Sequence, residues 1–113
     1  MPLPDDRDAF EAAFRAAVAA VVPSATVQVV DRTLIAVKLR VHLGADRFLD
    51  VFFNEHNGRT DLALIAGGQR LFGYDNLGGW HEHPAAAPER HEACAEPALE
   101  DFVHIAVSLG PTS

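Results

Sequence analysis

The chain has 113 residues, of which 49% are hydrophobic, and a single cysteine. This length and apolar content predict one globular domain over residues 1–113 and exclude disorder on compositional grounds. The formal net charge of −7 opposes a strong general attraction to a nucleic-acid backbone.

Targeting signals are absent from the sequence pattern. No apolar run approaches the roughly 20 residues of a membrane span. The acidic N-terminal segment lacks the basic residues of a secretory leader, and a lone cysteine fits a reducing compartment. We therefore expect a cytoplasmic protein that makes no membrane contact.

The first predicted element is an amphipathic helix over residues 5–23. Asp5 or Asp6 suits its N-cap, and Pro23 ends it. Alanine, the best helix former, fills most positions between the apolar ones. The apolar residues recur at helical spacing and are Phe10, Phe14, Val18 and Val21.

The middle of the chain predicts an antiparallel meander of about five strands. Short polar turns join the strands and no helix separates them, which disfavours a parallel sheet. Asn57-Gly58 suits a two-residue hairpin turn of the primed type, and GGQR at residues 67–70 suits a second tight turn. The predicted strands are residues 25–32, 33–43, 48–55, 60–66 and 71–76.

The second predicted strand alternates most regularly. Its apolar side is Ile35, Val37, Leu39, Val41 and Leu43, and its polar side is Lys38, Arg40 and His42. A period of two predicts one buried face and one polar face.

Residues 96–110 predict a second helix, with Pro97 at its first position and Gly110 at its end. Its predicted inward stripe is Leu99, Phe102, Val103, Ala106 and Leu109. The predicted fold class is therefore α+β: an N-terminal helix, the meander and a C-terminal helix, with both helices on one face of the sheet.

The segment from Tyr74 to Cys94, YDNLGGWHEHPAAAPERHEAC, holds three of the six histidines, the only tryptophan and the only cysteine. In an extended strand, His81 and His83 point to the same side and Glu82 to the other. Pairs of this kind chelate metals, and the full candidate set His81, His83, His91 and Cys94 suits tetrahedral zinc.

A metal-free acid–base site is a second interpretation. Two histidines serve as general base and general acid near neutral pH. The candidate catalytic residues are His81, His83, Asp75 and Tyr74. A phosphate would be held by basic side chains of the meander. The candidate substrate-binding residues are Lys38, Arg40, His42, Asn76 and Trp80.

A passive loop is the third interpretation of the segment. Asp75 and Asn76 would bond the backbone of their own turn, Gly78-Gly79 would permit positive φ, and Trp80 would anchor the segment on the core. The part from Ala85 to Cys94 would then deliver the chain to the last helix, and a metal would be needed to draw His91 and Cys94 back. The density of histidines beside acids favours function over this reading.

The stretch LFGYDNLGGWHEHP with the later ERHE resembles the TumE-type family of small toxin-like proteins. The matching residues are Tyr74, Asp75, Asn76, His81, His83 and His91, and the layout extends over about residues 26–91. The resemblance implies a short α+β toxin that is paired with a helix-turn-helix DNA-binding antitoxin. It also implies that five of the matching residues form a functional cluster: Tyr74, Asp75, Asn76, His81 and His83.

Two functions follow, and the sequence leaves open whether the chain is an enzyme. The first is a toxin-like protein that acts on RNA through its histidine cluster. The second is a non-enzymatic protein-binding module, with or without a structural zinc, that engages a partner through its acidic C-terminal third or through the exposed face of its sheet. Residues 82–101 carry six carboxylates against one arginine.

Overall fold

A computed structural model describes residues 3–109 of the chain. Its first element is helix α1, Arg7–Val21, which Asp6 caps by accepting a hydrogen bond from the Ala9 N–H at 2.7 Å. The predicted helix and its cap are thus confirmed. The residues of α1 that are buried are Phe10, Phe14, Ala17 and Val18.

The sheet has seven antiparallel strands that pair in chain order. The strands are β1 (Val27–Arg32), β2 (Ala36–His42), β3 (Arg47–Asn54), β4 (Thr60–Ala66), β5 (Gln69–Asp75), β6 (His81–His83) and β7 (Glu92–Ala93). The predicted meander is confirmed for its first five strands. The expected number was too low because β6 and β7 are too short to show a periodic pattern.

The two predicted hairpin turns differ in outcome. Gly67 and Gly68 both have positive φ, +59° and +77°, and connect β4 directly to β5. The two-residue turn at Asn57-Gly58 is wrong, because residues 55–59 form a longer loop. A turn of the predicted type needs positive φ at both central residues, and here only Gly58 has it. The Asn54 side chain instead accepts the His56 N–H at 2.8 Å.

Helix α2, Leu99–Ser108, ends the described chain. Its N-cap is Ala98, so Pro97 lies just before the helix and not at its first position as predicted. The predicted stop at Gly110 lies outside the described residues. The inward stripe is confirmed by the burial of Leu99, Phe102, Val103 and Ala106.

Both helices pack against the same face of the sheet, as predicted. Phe10 of α1 stacks on Phe53 with ring centroids 4.8 Å apart, and Phe102 of α2 stacks on Phe72 at 6.2 Å. We call this side the helix face; it carries Leu39, Val51, Leu62 and Tyr74. The opposite side is the open face; it carries Arg40, Asp50, Ala63 and Gly73.

Neither helix within residues 3–109 has the length and apolar character needed to cross a membrane.

Glu11 of α1 ties the helix to the edge strand β1. Its carboxylate accepts from Arg15 at 3.0 Å and from Arg32 of β1. Burial alone would raise the pKa of Glu11, but the hydrogen bonds from the two arginines and their charges outweigh it, so its pKa lies below the ordinary value. A carboxyl whose pKa falls on folding stabilises the fold above its unfolded pKa, and this contribution is lost as the pH falls through its folded pKa.

We expect Glu11→Gln to lower the free energy of unfolding by about 1 kcal/mol near pH 7, since its partners are half-exposed. Near pH 3 the difference from wild type should shrink, because the wild-type carboxyl then begins to protonate. Urea unfolding at both pH values measures this. Glu89→Gln, which removes the same charge from an exposed loop residue, is the control. A difference that is independent of pH would contradict the role given to the Glu11 charge.

Candidate functional site

The pairing of strand β6 with β5 determines which side chains of the candidate site lie close together. Its His83 is opposite Gly73 and its His81 is opposite Asp75. Partners in an antiparallel pair share a face, so both histidines and Asp75 lie on the open face. Glu82, opposite Tyr74, lies on the helix face. The predicted extended arrangement of the HEH segment is therefore confirmed.

Gly73 leaves the space that this arrangement needs. A Cβ at residue 73 would lie 2.3 Å from the Leu62 carbonyl oxygen, so the strand pair β4–β5 admits only glycine there. With no side chain beneath it, the His83 ring extends diagonally across β5 and reaches Asp75.

His83 is enclosed, with 4% of its surface exposed. Its Nε2 lies 2.5 Å from Asp75 Oδ2, and its Nδ1 lies 3.2 Å from the Pro88 carbonyl oxygen. Both neighbours accept hydrogen bonds, so an imidazolium at His83 would donate from both nitrogens. The ring therefore holds the 84–90 loop against the sheet.

Asp75 is the acidic member of the site. Its second oxygen, Oδ1, accepts the Leu77 N–H at 3.1 Å, as the predicted turn requires. Burial alone would raise the pKa of Asp75; the hydrogen bonds from His83 and Leu77 and the nearby charges of His83 and Arg70 outweigh it, so the pKa lies below the ordinary value. The carboxylate is thus ionised near neutral pH and suited to hold a proton donor or a cation.

His91 returns to the same site through strand β7. His81 is opposite Ala93 and Glu82 is opposite Glu92 in the β6–β7 pair, so this pairing returns the chain beside β6 and places His91 on the open face. The His91 ring centroid lies 4.4 Å from that of His83 and 6.2 Å from that of His81. The expectation that only a metal would draw His91 back is wrong, because backbone pairing already does so.

One group of possible metal ligands results among residues 3–109. Asp75, His83 and His91 each offer a ligand atom, and these atoms lie within 4.8 Å of one another. A carboxylate with two imidazoles is a donor set that zinc and several other divalent transition metals accept. His91 is exposed, whereas His83 and Asp75 are nearly buried, so one side of the group faces solvent.

Two predicted site residues lie on the other side of the sheet. Cys94, whose N–H donates to the Trp80 carbonyl at 3.0 Å, lines a cleft beside α2 together with Tyr74. The structure thus brings His81, His83 and His91 together and leaves Cys94 apart from them. Asp75 lies beside these histidines, whereas Tyr74 lies on the helix face, away from them.

The side chains predicted to bind phosphate lie on the same open face as the histidines, but far from them. Lys38 and Arg40 on β2 lie four strand spacings from β6, roughly 19 Å. Both are paired with Asp50, at 3.4 Å and 3.1 Å. His42, on the same strand, is exposed beside the Phe48 ring, with centroids 5.9 Å apart.

Asn76 and Trp80 have structural contacts. The Asn76 side chain accepts the Thr60 N–H and donates to the Gly58 carbonyl, each at 2.8 Å, and so braces the β3–β4 loop. Trp80 is partly buried against the hydrophobic core, as the passive interpretation of this segment predicted.

Arg70 is the site neighbour that the sequence prediction missed. Strict alternation along β5 would place it with Phe72 on the helix face. A bulge near Leu71 reverses this, because Arg70 is opposite Ile65 while Phe72 is opposite Leu64. Arg70 therefore pairs with Asp61 on the open face at 3.4 Å. The only sign of the bulge in the sequence is that the charged Arg70 is spaced by two residues from the buried Phe72, which on a regular strand would bury Arg70 as well.

Comparisons with protein-family models, with curated proteins and with solved structures gave no significant match. The resemblance to TumE-type toxins therefore stays a prediction. The site geometry is the observation that bears on function.

We expect Gly73→Ala to destabilise the protein by about 2 kcal/mol or more, because the added methyl group meets the Leu62 carbonyl and must displace a strand. Gly44→Ala is the matched control, since the nearest atom to its added Cβ is 4.0 Å away. That variant should change the free energy of unfolding by no more than about 0.5 kcal/mol. Urea unfolding compares them, and equal stability of the two variants would contradict the close approach at Gly73.

Proposed function

We propose that the protein binds a divalent transition-metal ion on the open face of its sheet, through Asp75, His83 and His91. The observation that carries the proposal is the convergence of one carboxylate oxygen and two imidazole nitrogens within 4.8 Å. Zinc suits this mixed donor set best, since carboxylate and imidazole are both among its usual ligands.

The number of ligands favours a reactive centre over a purely structural one. Structural zinc is usually held by four protein ligands, and Cys94 lies on the other face of the sheet, out of reach of this group. Three protein ligands leave a coordination position for water on the exposed side of His91. When bound, such an ion supplies a water of lowered pKa and thereby supports hydrolysis.

The surroundings of the site assign roles to the neighbouring side chains. His81 is half-buried, shares the open face and lies beside His91, so it is placed to take a proton from a reacting group. The Pro88 carbonyl orients the His83 ring through Nδ1, as carbonyls commonly do for histidine ligands. Arg70 adds a positive charge next to the carboxylate of Asp75.

We expect the purified protein to bind one zinc ion in calorimetry, and His91→Ala to weaken that binding at least about tenfold. His91 is exposed, so its replacement leaves the core intact. The control variants are His56→Ala, which removes a distant exposed histidine, and Cys94→Ser. Both should bind as wild type. Loss of binding in Cys94→Ser with retention in His91→Ala would contradict the proposed ligand set.

We propose a metal-free, RNA-acting toxin as the second candidate. It is favoured by the ionised Asp75 carboxylate bonded to His83, with two further histidines on the same face for proton transfer. The resemblance to TumE-type proteins supplies the toxin role and a helix-turn-helix antitoxin as partner, and the RNA substrate rests on the phosphodiester cleavage that a pair of histidines can support. The pairing of Lys38 and Arg40 with Asp50 weighs against a broad phosphate-binding surface.

Under this second candidate, expression of the wild-type chain alone should arrest bacterial growth and degrade cellular RNA. The double variant His81→Ala/His91→Ala should abolish both effects, because it removes the exposed proton-transfer groups and keeps the buried Asp75–His83 pair. Growth curves and RNA gels measure this, with His42→Ala/His56→Ala as the control. A harmless wild-type chain would contradict the toxin candidate and leave the metal proposal unaffected.

A further inference from the structure

A second cleft lies behind the metal-ligand group, on the helix face of the same strands. It has a volume of about 410 Å³ and opens between strands β5–β7 and helix α2. The residues that line it include Tyr74, Glu82, Cys94, Asp101, His104 and Ile105. None of them belongs to the proposed metal centre.

Tyr74 forms the floor of the cleft. Its ring packs edge-on against Phe72 and Phe102, with centroids 5.3 Å and 6.3 Å away, and only 8% of the residue is exposed. No fully enclosed side-chain polar atom of the described residues lacks a hydrogen-bond partner. The Tyr74 hydroxyl makes no side-chain hydrogen bond within these residues, so it opens into the cleft that Tyr74 lines. A hydroxyl that opens into the cleft from a largely buried ring, without a protein partner, is free to bond a ligand or water there.

The walls of the cleft are acidic. Glu82 and Asp101 lie on opposite sides of it, on β6 and α2, and neither forms an ion pair within the part of the chain that the structure describes. Burial and then the charges of Glu82, Cys94 and Asp101 raise the pKa of the Tyr74 hydroxyl. Burial and the charges of Glu82 and Asp75 likewise raise the pKa of the Cys94 thiol. Both groups are therefore neutral near pH 7, and the negative charge in the cleft comes from the Glu82 and Asp101 carboxylates.

We propose that this cleft binds an arginine side chain of a protein partner. Two unpaired carboxylates and a hydroxyl match the planar, multiply donating guanidinium group. Ile105, which is 39% exposed, and Pro97 offer apolar surface for the arginine methylene groups. A nucleic acid would be repelled by the same carboxylates.

Lysine fits the cleft less well than arginine. Its ammonium group is a strongly hydrated point charge, whereas the carboxylates come from two different elements and the Tyr74 hydroxyl opens into the same cleft. A guanidinium group donates in several fixed directions and can serve all three acceptors.

The proposal is tested by titrating isotope-labelled protein with the peptide acetyl-Gly-Arg-Gly-amide and following amide shifts by NMR. The matched probe replaces arginine with citrulline, which has nearly the same shape without the charge. We expect saturable shifts at Glu82 and Asp101 with the arginine peptide and binding at least about tenfold weaker with citrulline.

Variants separate the cleft from general charge. Glu82→Gln/Asp101→Asn should weaken binding about tenfold or more, and Tyr74→Phe, which keeps the ring packing, about threefold to tenfold. Glu92→Gln is the control, because Glu92 is opposite Glu82 in the sheet but lies outside the cleft and pairs with Arg90. It should bind within about twofold of wild type.

Three results would overturn the proposal: no saturable shift at the cleft, equal binding of the arginine and citrulline peptides, or an equal loss in Glu92→Gln and Glu82→Gln/Asp101→Asn. The NMR spectra also show whether each variant is folded, and Tyr74→Phe still tests the cleft if the double variant is not. His91→Ala should bind the peptide normally, so failure of the metal centre and failure of the cleft are distinguishable.

Discussion

The pairing of the three-residue strand β6 with the end of β5 is the constraint on which the chemistry of this molecule depends. Because side chains alternate along a strand, this pairing sends His81 and His83 to the open face and Glu82 to the helix face. It also supplies the edge on which β7 pairs, and β7 brings His91 back. The 2.5 Å contact between His83 and Asp75 then ties β6 to β5 by side chains as well as by backbone.

Two candidate cation sites therefore lie back to back across one short strand. On the open face, an ionised carboxylate and imidazoles suit a metal ion. On the helix face, carboxylates around the Tyr74 hydroxyl suit an organic cation. The central meander contributes the rigid support, since the side chains of β2, β3 and β4 on the helix face are almost fully enclosed under the two helices. A ligand bound at either site would contact a side chain of the same short strand, His83 on the open face or Glu82 on the helix face.

The sequence predicted the fold well because long periodic segments decide it. The alternation in β2 and the helical stripe in α2 identified the buried faces of both elements. The site was predicted in part. The HEH spacing placed His81 and His83 correctly, but the bulge that turns Arg70 outward depends on pairing with β4. The same holds for His91 and Cys94, because a strand of two residues separates them onto different faces and has no pattern of its own.

The most direct test of the metal centre is a crystal structure of the protein grown with zinc, with anomalous diffraction collected at the zinc absorption edge. Zinc held by the proposed ligands would give one strong peak on the open face, about 2.0–2.2 Å from an Asp75 oxygen and from one nitrogen each of His83 and His91. A peak that is coordinated by Cys94, or the absence of a peak beside Asp75 in zinc-saturated crystals, would contradict it.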